Sequence, residues 1–176
     1  MGRQVPIILH NYNDKIAYPG QRTECDLVES VARLIRDGNL EAATSSEVLF
    51  EFMKLPKTFP TSGGILFGAD YRIVRAPVML GYRLTAPAES FRRTLESISN
   101  PRYLEIRRQV GAFQGQKQVP LNQLFDALFL WTAEASGCNY FLTVERKLFE
   151  YPFRSHSLKC VRPSTLLAEF GTDHKN

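Results

Sequence analysis

The chain has 176 residues, enough to bury a core as a single domain, 1–176, without disulfide staples. Its apolar and charged fractions, 44% and 23%, are those of an ordinary soluble globule, and no apolar run is long enough to cross a bilayer. The net charge of +4 is mild, but nine basic residues against three acids between Tyr71 and Lys117 give that segment +6, which suits a polyanion such as nucleic acid.

In chain order, Val5 to Leu9 is a short apolar run with β-branched residues and is expected to be a buried strand, with Pro6 tolerated only near its start. A polar loop, His10-Asn11-Tyr12-Asn13-Asp14, and a turn at Pro19-Gly20 follow. Asp26 to Arg36 is expected to be a helix, with Leu27, Val31, Leu34 and Ile35 on one face and Gly38 as its stop. Leu40 to Ala43 is a second short strand. Thr44-Ser45-Ser46-Glu47 then opens a helix to about Lys54, with Thr44 and Glu47 at capping-box spacing.

Thr61-Ser62-Gly63-Gly64 is a flexible loop, too poor in glycine and without the lysine of a phosphate cradle. Residues 65–84 are expected to be short extended pieces or a hairpin. Thr85 to Ser99 and Arg102 to Val110 are helices, the first with Thr85 as cap and Pro87 in its first turn, and Gly111 to Gln118 is a loop. Leu121 to Ser136 is the clearest helix, its apolar side marked by Leu121, Leu124, Phe125 and Leu128, with Gly137 as a left-handed C-cap. Tyr140 to Thr143 and Leu158 to Val161 are strands, and Ser164 caps a last helix over Thr165 to Phe170. Alternating strands and helices favour a parallel sheet covered by helices on both faces.

Cys25, Cys138 and Cys160 are odd in number and in no metal-ligand spacing, and are expected to be free thiols in a reducing cytoplasm. The N-terminus, with one basic residue before a short apolar run, is not a signal peptide, so a cytoplasmic protein is expected.

The stretch from Asp126 to Glu145 is the most informative. A helix with an acid near its start ends at Gly137, a short apolar strand follows, and Thr143 and Glu145 stand where the strand runs out. In an open parallel sheet that is where ligands bind. In this stretch and two others the chain resembles the PIN domain, a family of small metal-dependent nucleases that includes many bacterial toxins. Asn11-Tyr12-Asn13 stands where the family has Asp-x-Asn. Thr44 to Glu51 resembles its serine-containing strand-to-helix step, with an acid in mid-helix. Asp126 followed by Leu142-Thr143-Val144-Glu145 stands where it has an acid and then Thr-x-Asp.

The resemblance implies a three-layer α/β/α fold with a central, mostly parallel sheet. It implies that Asn11, Glu51, Asp126 and Glu145 converge as ligands of Mg²⁺ or Mn²⁺, with Glu51, Asp126, Glu145 and Thr143 as catalytic residues in RNA cleavage. Hard oxygen ligands suit such cations, and the cation relieves repulsion between crowded carboxylates. A basic insert at about 60–118 would grip the RNA through Arg72, Arg75, Arg92, Arg93, Arg107 and Arg108. An antitoxin-like protein partner and a homodimer are implied by the resemblance alone. The chain departs from the pattern at Asn11, an amide in an acid's place, and at Glu145, one methylene longer than Asp. A catalytically degenerate module that binds RNA or a protein without cutting is therefore the alternative.

Each acid also has a structural role open to it. Glu47 is explained by the capping box, but being four residues from Glu51 it shares that residue's helix face, so either could be the ligand. Glu145 and Thr143 could serve the start of a following short helix, and Asp126 could lie on a solvated face.

Overall fold

The computed structural model describes residues 3–6, 19–53, 67–80, 87–112, 118–151 and 153–171, the side chains of 3–6, 19, 21 and 50–53 aside. The chain runs β1 (Arg3–Pro6), α1 (Pro19–Asp26), α2 (Val28–Arg36), β2 (Leu40–Ser45), α3 (Ser46–Met53), β3 (Tyr71–Val74), α4 (Ala88–Glu96) and α5 (Pro101–Gln109). It continues with α6 (Leu121–Ala135), β4 (Tyr140–Leu142), α7 (Arg146–Glu150), β5 (Lys159–Val161) and α8 (Pro163–Phe170). This is a mixed α/β chain in which every described strand pair is parallel.

One sheet has the order β1-β2-β3, with Val5 opposite Ala42 and Thr44 opposite Ile73. The other pairs β4 with β5, Phe141 opposite Cys160. Cα atoms of β1 and β4 approach within 8 Å, so the two sheets are neighbours. Parallel pairs cannot be joined by tight turns, which is why helices separate the strands.

Alternate strand residues divide between two apolar clusters. Leu40, Ala42, Tyr140, Leu142 and Val161 pack with Val31, Leu34, Ile35 and Leu166 of α2 and α8. Ala43, Val74 and Phe141 belong to a larger cluster with Phe91, Leu95, Tyr103, Ile106, Leu124 and Leu128 of α4, α5 and α6. The segment expected as an insert thus helps build the main core, because its apolar residues, Val74, Phe91, Leu95 and Ile106 among them, recur on the inward faces of β3, α4 and α5. Among the described residues no helix is long and apolar enough to cross a membrane.

Several elements follow their local signals. Gly38 and Gly137 take φ of +76° and +71°, and each ends its helix with paired closing bonds. After α6, the Gly137 and Cys138 amides donate to the Glu134 and Ala133 carbonyls, both at 3.1 Å. Asn100 caps α5, its side-chain oxygen accepting from the Arg102 and Tyr103 amides at 2.9 and 3.3 Å.

Other expectations are corrected. The first strand begins earlier than Val5, at Arg3, and is described to Pro6; residues 7–18 lie outside the described set. Pro19-Gly20, expected as a turn, opens α1, where proline's fixed φ suits a first helical position. Of the two alternatives for 65–84, the described part holds a short extended piece, Tyr71–Val74, which pairs parallel to β2. Pro87, not Thr85, is the N-cap of α4; Thr85 and the 61–64 loop lie outside the described residues. Ser164 does not cap α8, since Pro163 occupies its first position and Arg162 is the cap. The Ser164 hydroxyl and amide instead donate to the Glu24 carboxylate at 2.6 and 2.9 Å, tying α8 to α1.

Candidate functional site

Eight polar or charged residues are buried among those described: Thr44, Ser45, Glu47, Arg107, Gln123, Asp126, Thr132 and Thr143. Burying such groups costs free energy unless they are partnered, so their distribution is informative. Three sit where β2 passes into α3, two in the opening turns of α6, and one immediately after β4. Glu47 and Asp126 are the buried acids of this set, 2% and 7% exposed.

At the end of β2 the predicted capping box does not form. Ser45 precedes the first helical residue, and its Oγ accepts from the Val48 amide at 3.4 Å. The helix therefore starts one residue later than a Thr44 cap requires, which moves Glu47 out of the reciprocal position. Its carboxylate instead accepts a bond from the Ser46 hydroxyl at 3.1 Å. Glu47 thereby loses its structural explanation while being nearly inaccessible to solvent. Of Glu51 the structure describes the backbone, within α3.

Asp126 stands in α6, whose orientation follows from its neighbours. Phe125 lies 6.3 Å from Phe91 of α4 between ring centroids, and Trp131 lies 5.3 Å from Tyr103 of α5. The Tyr103 hydroxyl donates to the Leu124 carbonyl at 3.2 Å. At about 100° per residue, the helix side opposite these contacts bears Gln123, Asp126 and Leu130. That side is covered as well, Leu130 being fully buried. Asp126 is thus not on a solvated face.

After β4, the Thr143 amide donates to the Val161 carbonyl at 3.1 Å and continues the pairing with β5. The Thr143 hydroxyl, 1% exposed, accepts from the Glu145 amide at 3.0 Å. Glu145 is the N-cap of α7, accepting from the Lys147 amide through Oε1 at 3.4 Å. The structural role open to these two residues is therefore realised, and Oε2 of Glu145 takes no part in the cap.

The basic residues separate into two groups. Arg72, Arg75, Arg93 and Arg108 are exposed. Arg72 reaches the Ser136 carbonyl at 3.4 Å, and Arg75 lies 3.6 Å from the Met79 sulfur. Arg92 is half-buried, bonded to the Val119 carbonyl and flanked by Glu89 and Glu96 at 3.5 and 3.8 Å. Arg107 is buried, its guanidinium 5.8 Å from the Tyr103 ring centroid. Those two arginines are committed to packing, because their helix faces turn inward.

Sequence reasoning placed Glu47 in a capping role and did not single out Gln123. The signal for Gln123 was its spacing, one helical turn before Asp126. Among the described residues no three His, Cys, Asp or Glu side chains gather as a metal-binding group. Asn11 and the Glu51 side chain lie outside those residues. Compared with known protein families, with curated proteins and with solved structures, the chain matches none.

Proposed function

We propose that this chain is a PIN-like ribonuclease of three-layer α/β/α architecture, dependent on Mg²⁺ or Mn²⁺. The observation that supports the reading best is that Glu47 and Asp126, acids at the start of α3 and in α6, are both buried, as are Ser45, Gln123 and Thr143. Carboxylates gathered at one place repel each other, and a divalent cation held between them relieves that repulsion. The donor set is hard oxygen throughout, which fits Mg²⁺ and Mn²⁺ and not a thiolate-preferring metal.

Asp126 would hold the cation with Glu51 and Glu145 Oε2, or with Glu47 in place of those two, and with Asn11 as a further oxygen. The cation when bound supplies charge stabilisation at the phosphoryl group and activation of water. Thr143 sets the backbone bend that presents Glu145, through its hydroxyl on the Glu145 amide. Arg72, Arg75, Arg93 and Arg108 would meet the RNA backbone, where exposed guanidinium groups pair with phosphate. Convergence of the acids requires β4 to run in the same direction as β1 and β2, so that their C-terminal ends share one edge.

The test is Mn²⁺ titration by calorimetry together with cleavage of single-stranded RNA. Asp126→Asn keeps the side-chain shape and removes its charge; we expect cleavage to fall on the order of 100-fold or more with the fold retained by circular dichroism. Wild-type protein that takes up no Mn²⁺ and leaves RNA intact, or full activity in Asp126→Asn, refutes the proposal. The second reading, a non-cleaving binding module, is favoured by the amide at Asn11. An inert wild type that gains tight Mn²⁺ binding or cleavage in Asn11→Asp establishes that reading instead.

A further inference from the structure

Gln123 is 7% exposed, and its side-chain oxygen is buried with no hydrogen-bond partner. A buried, unsatisfied acceptor costs about 1–3 kcal/mol, so its presence asks for a donor or a cation. The usual structural task of a Gln here is closed to it. Counting from Leu121 as the first helical residue, Gln123 is the third, the position from which a Gln reaches back to the backbone N–H of the N-cap. The N-cap is Pro120, which has no N–H. The oxygen therefore has no partner of that kind to turn to.

What it has instead is Asp126. Residues three apart on a helix are neighbours, with Cβ atoms about 5–6 Å apart. Both lie on the side of α6 turned away from the Phe91 and Tyr103 contacts, and both are buried. One helix face thus offers a neutral amide oxygen and a carboxylate, each shielded from solvent. Two oxygen donors at this spacing, in a low-dielectric setting, suit a hard divalent cation, which tolerates amide oxygens among its ligands.

We propose that Gln123 belongs to the metal site, its side-chain oxygen ligating the same divalent cation as Asp126, directly or through one water. The inference rests on the metal-site reading given above and adds a residue that the family resemblance does not mark. Gln123 makes good a neutral oxygen ligand on the helix side of the site, while Asp126 and its partner acid supply the charge.

The test compares wild type, Gln123→Leu, Gln123→Glu and Asp126→Asn by calorimetric titration with Mn²⁺ alone, and by thermal unfolding in chelator. Gln123→Leu should weaken Mn²⁺ binding about tenfold or more, while Gln123→Glu binds at least as tightly as wild type. In chelator, Gln123→Leu should unfold at the wild-type temperature or above, because replacing an unpartnered acceptor by an apolar group of similar size removes a penalty. Wild-type binding that Gln123→Leu leaves unchanged overturns the assignment and leaves the metal site standing. A Gln123→Leu protein that melts several degrees lower in chelator, or fails to fold, overturns it too, by revealing a structural partner for the amide. A wild type that takes up no Mn²⁺ refutes the metal site itself, and the role of Gln123 with it.

Discussion

Glu134 joins three parts of the chain, and removing its charge has a calculable consequence. Its carboxylate accepts two bonds from Arg102, through Nε and Nη2, both at 2.6 Å, and one from the Ser155 hydroxyl at 2.5 Å. Arg102 also pairs with Glu105 at 2.7 Å and donates to the Arg154 carbonyl at 3.0 Å. α5, α6 and the segment before β5 are thus held by one side chain. In Glu134→Gln the amide keeps one accepting oxygen, so the substitution loses one charge-assisted bond and the ionic attraction. Such a bond contributes about 1.5–3 kcal/mol. The side chains are 17% and 28% exposed, so solvent screens part of it, and about 2 kcal/mol is expected. For a chain of this size each kcal/mol moves the midpoint by about 2–4 °C, giving a fall of about 4–8 °C at pH 7.

The effect must also depend on pH with a definite sign. The hydrogen bonds from Arg102 hold the Glu134 carboxyl below its ordinary value of 4.5, against the opposing effect of burial and with help from Ser155. A carboxylate depressed in the folded state stabilises fully above its unfolded value, and that stability is lost as pH falls through the folded one. The gap between wild type and Glu134→Gln should therefore be full at pH 7 and close as pH drops below about 4.5. Urea denaturation of both proteins from pH 7 down to pH 3 measures it. A gap that stays constant over that range, or no gap at pH 7, refutes the assignment of the stability to this ion pair.

Gly111 ends α5 at φ +73°, where an added Cβ would stand 2.7 Å from Cζ of Tyr151. Gly111→Ala combines a left-handed backbone penalty of about 1–2 kcal/mol with a clash of about 1–3 kcal/mol, whereas Gly38→Ala at φ +76° meets nothing within 4 Å and has the first alone. Equal losses in the two variants by denaturant unfolding would show that the Tyr151 contact is immaterial. Burial pushes the Cys160 thiol up to about 12 and raises Cys138 as well. In native protein at pH 8, mass spectrometry after a thiol reagent should find Cys138, which is fully buried, unmodified until denaturant is added; rapid native labelling would contradict that burial.

How much of this was legible beforehand varies by element. α6 was, because its length, apolar content and closing Gly137 all agree on one structure. The start of β1 was not, since a short apolar run does not say which of its residues meet a partner strand. α1 was missed because its sequence, PGQRTECD, has little apolar content of its own; it lies against α2 and α8 and is tied through Glu24 to Ser164. The parallel pairing of β3 joins residues 29 positions apart, such as Ala42 and Tyr71, beyond the reach of local propensity. Ser164 and Glu47 were each given a capping role from spacing, and in each case the helix begins at a different residue than that role requires.

By itself the sequence determined the helices with strong periodicity, the alternation with strands, the free thiols and the two places where acids stand among apolar residues. These are local properties: a repeat near 3.6, a glycine at a left-handed cap, a charge amid hydrophobes. Only the tertiary structure decided which polar groups lose contact with water. Glu47 and Gln123 were ordinary helix-start residues until packing buried them, and Arg107 was one positive charge among several until α5 turned it inward. Burial is a property of what covers a residue, and the covering elements come from distant parts of the chain.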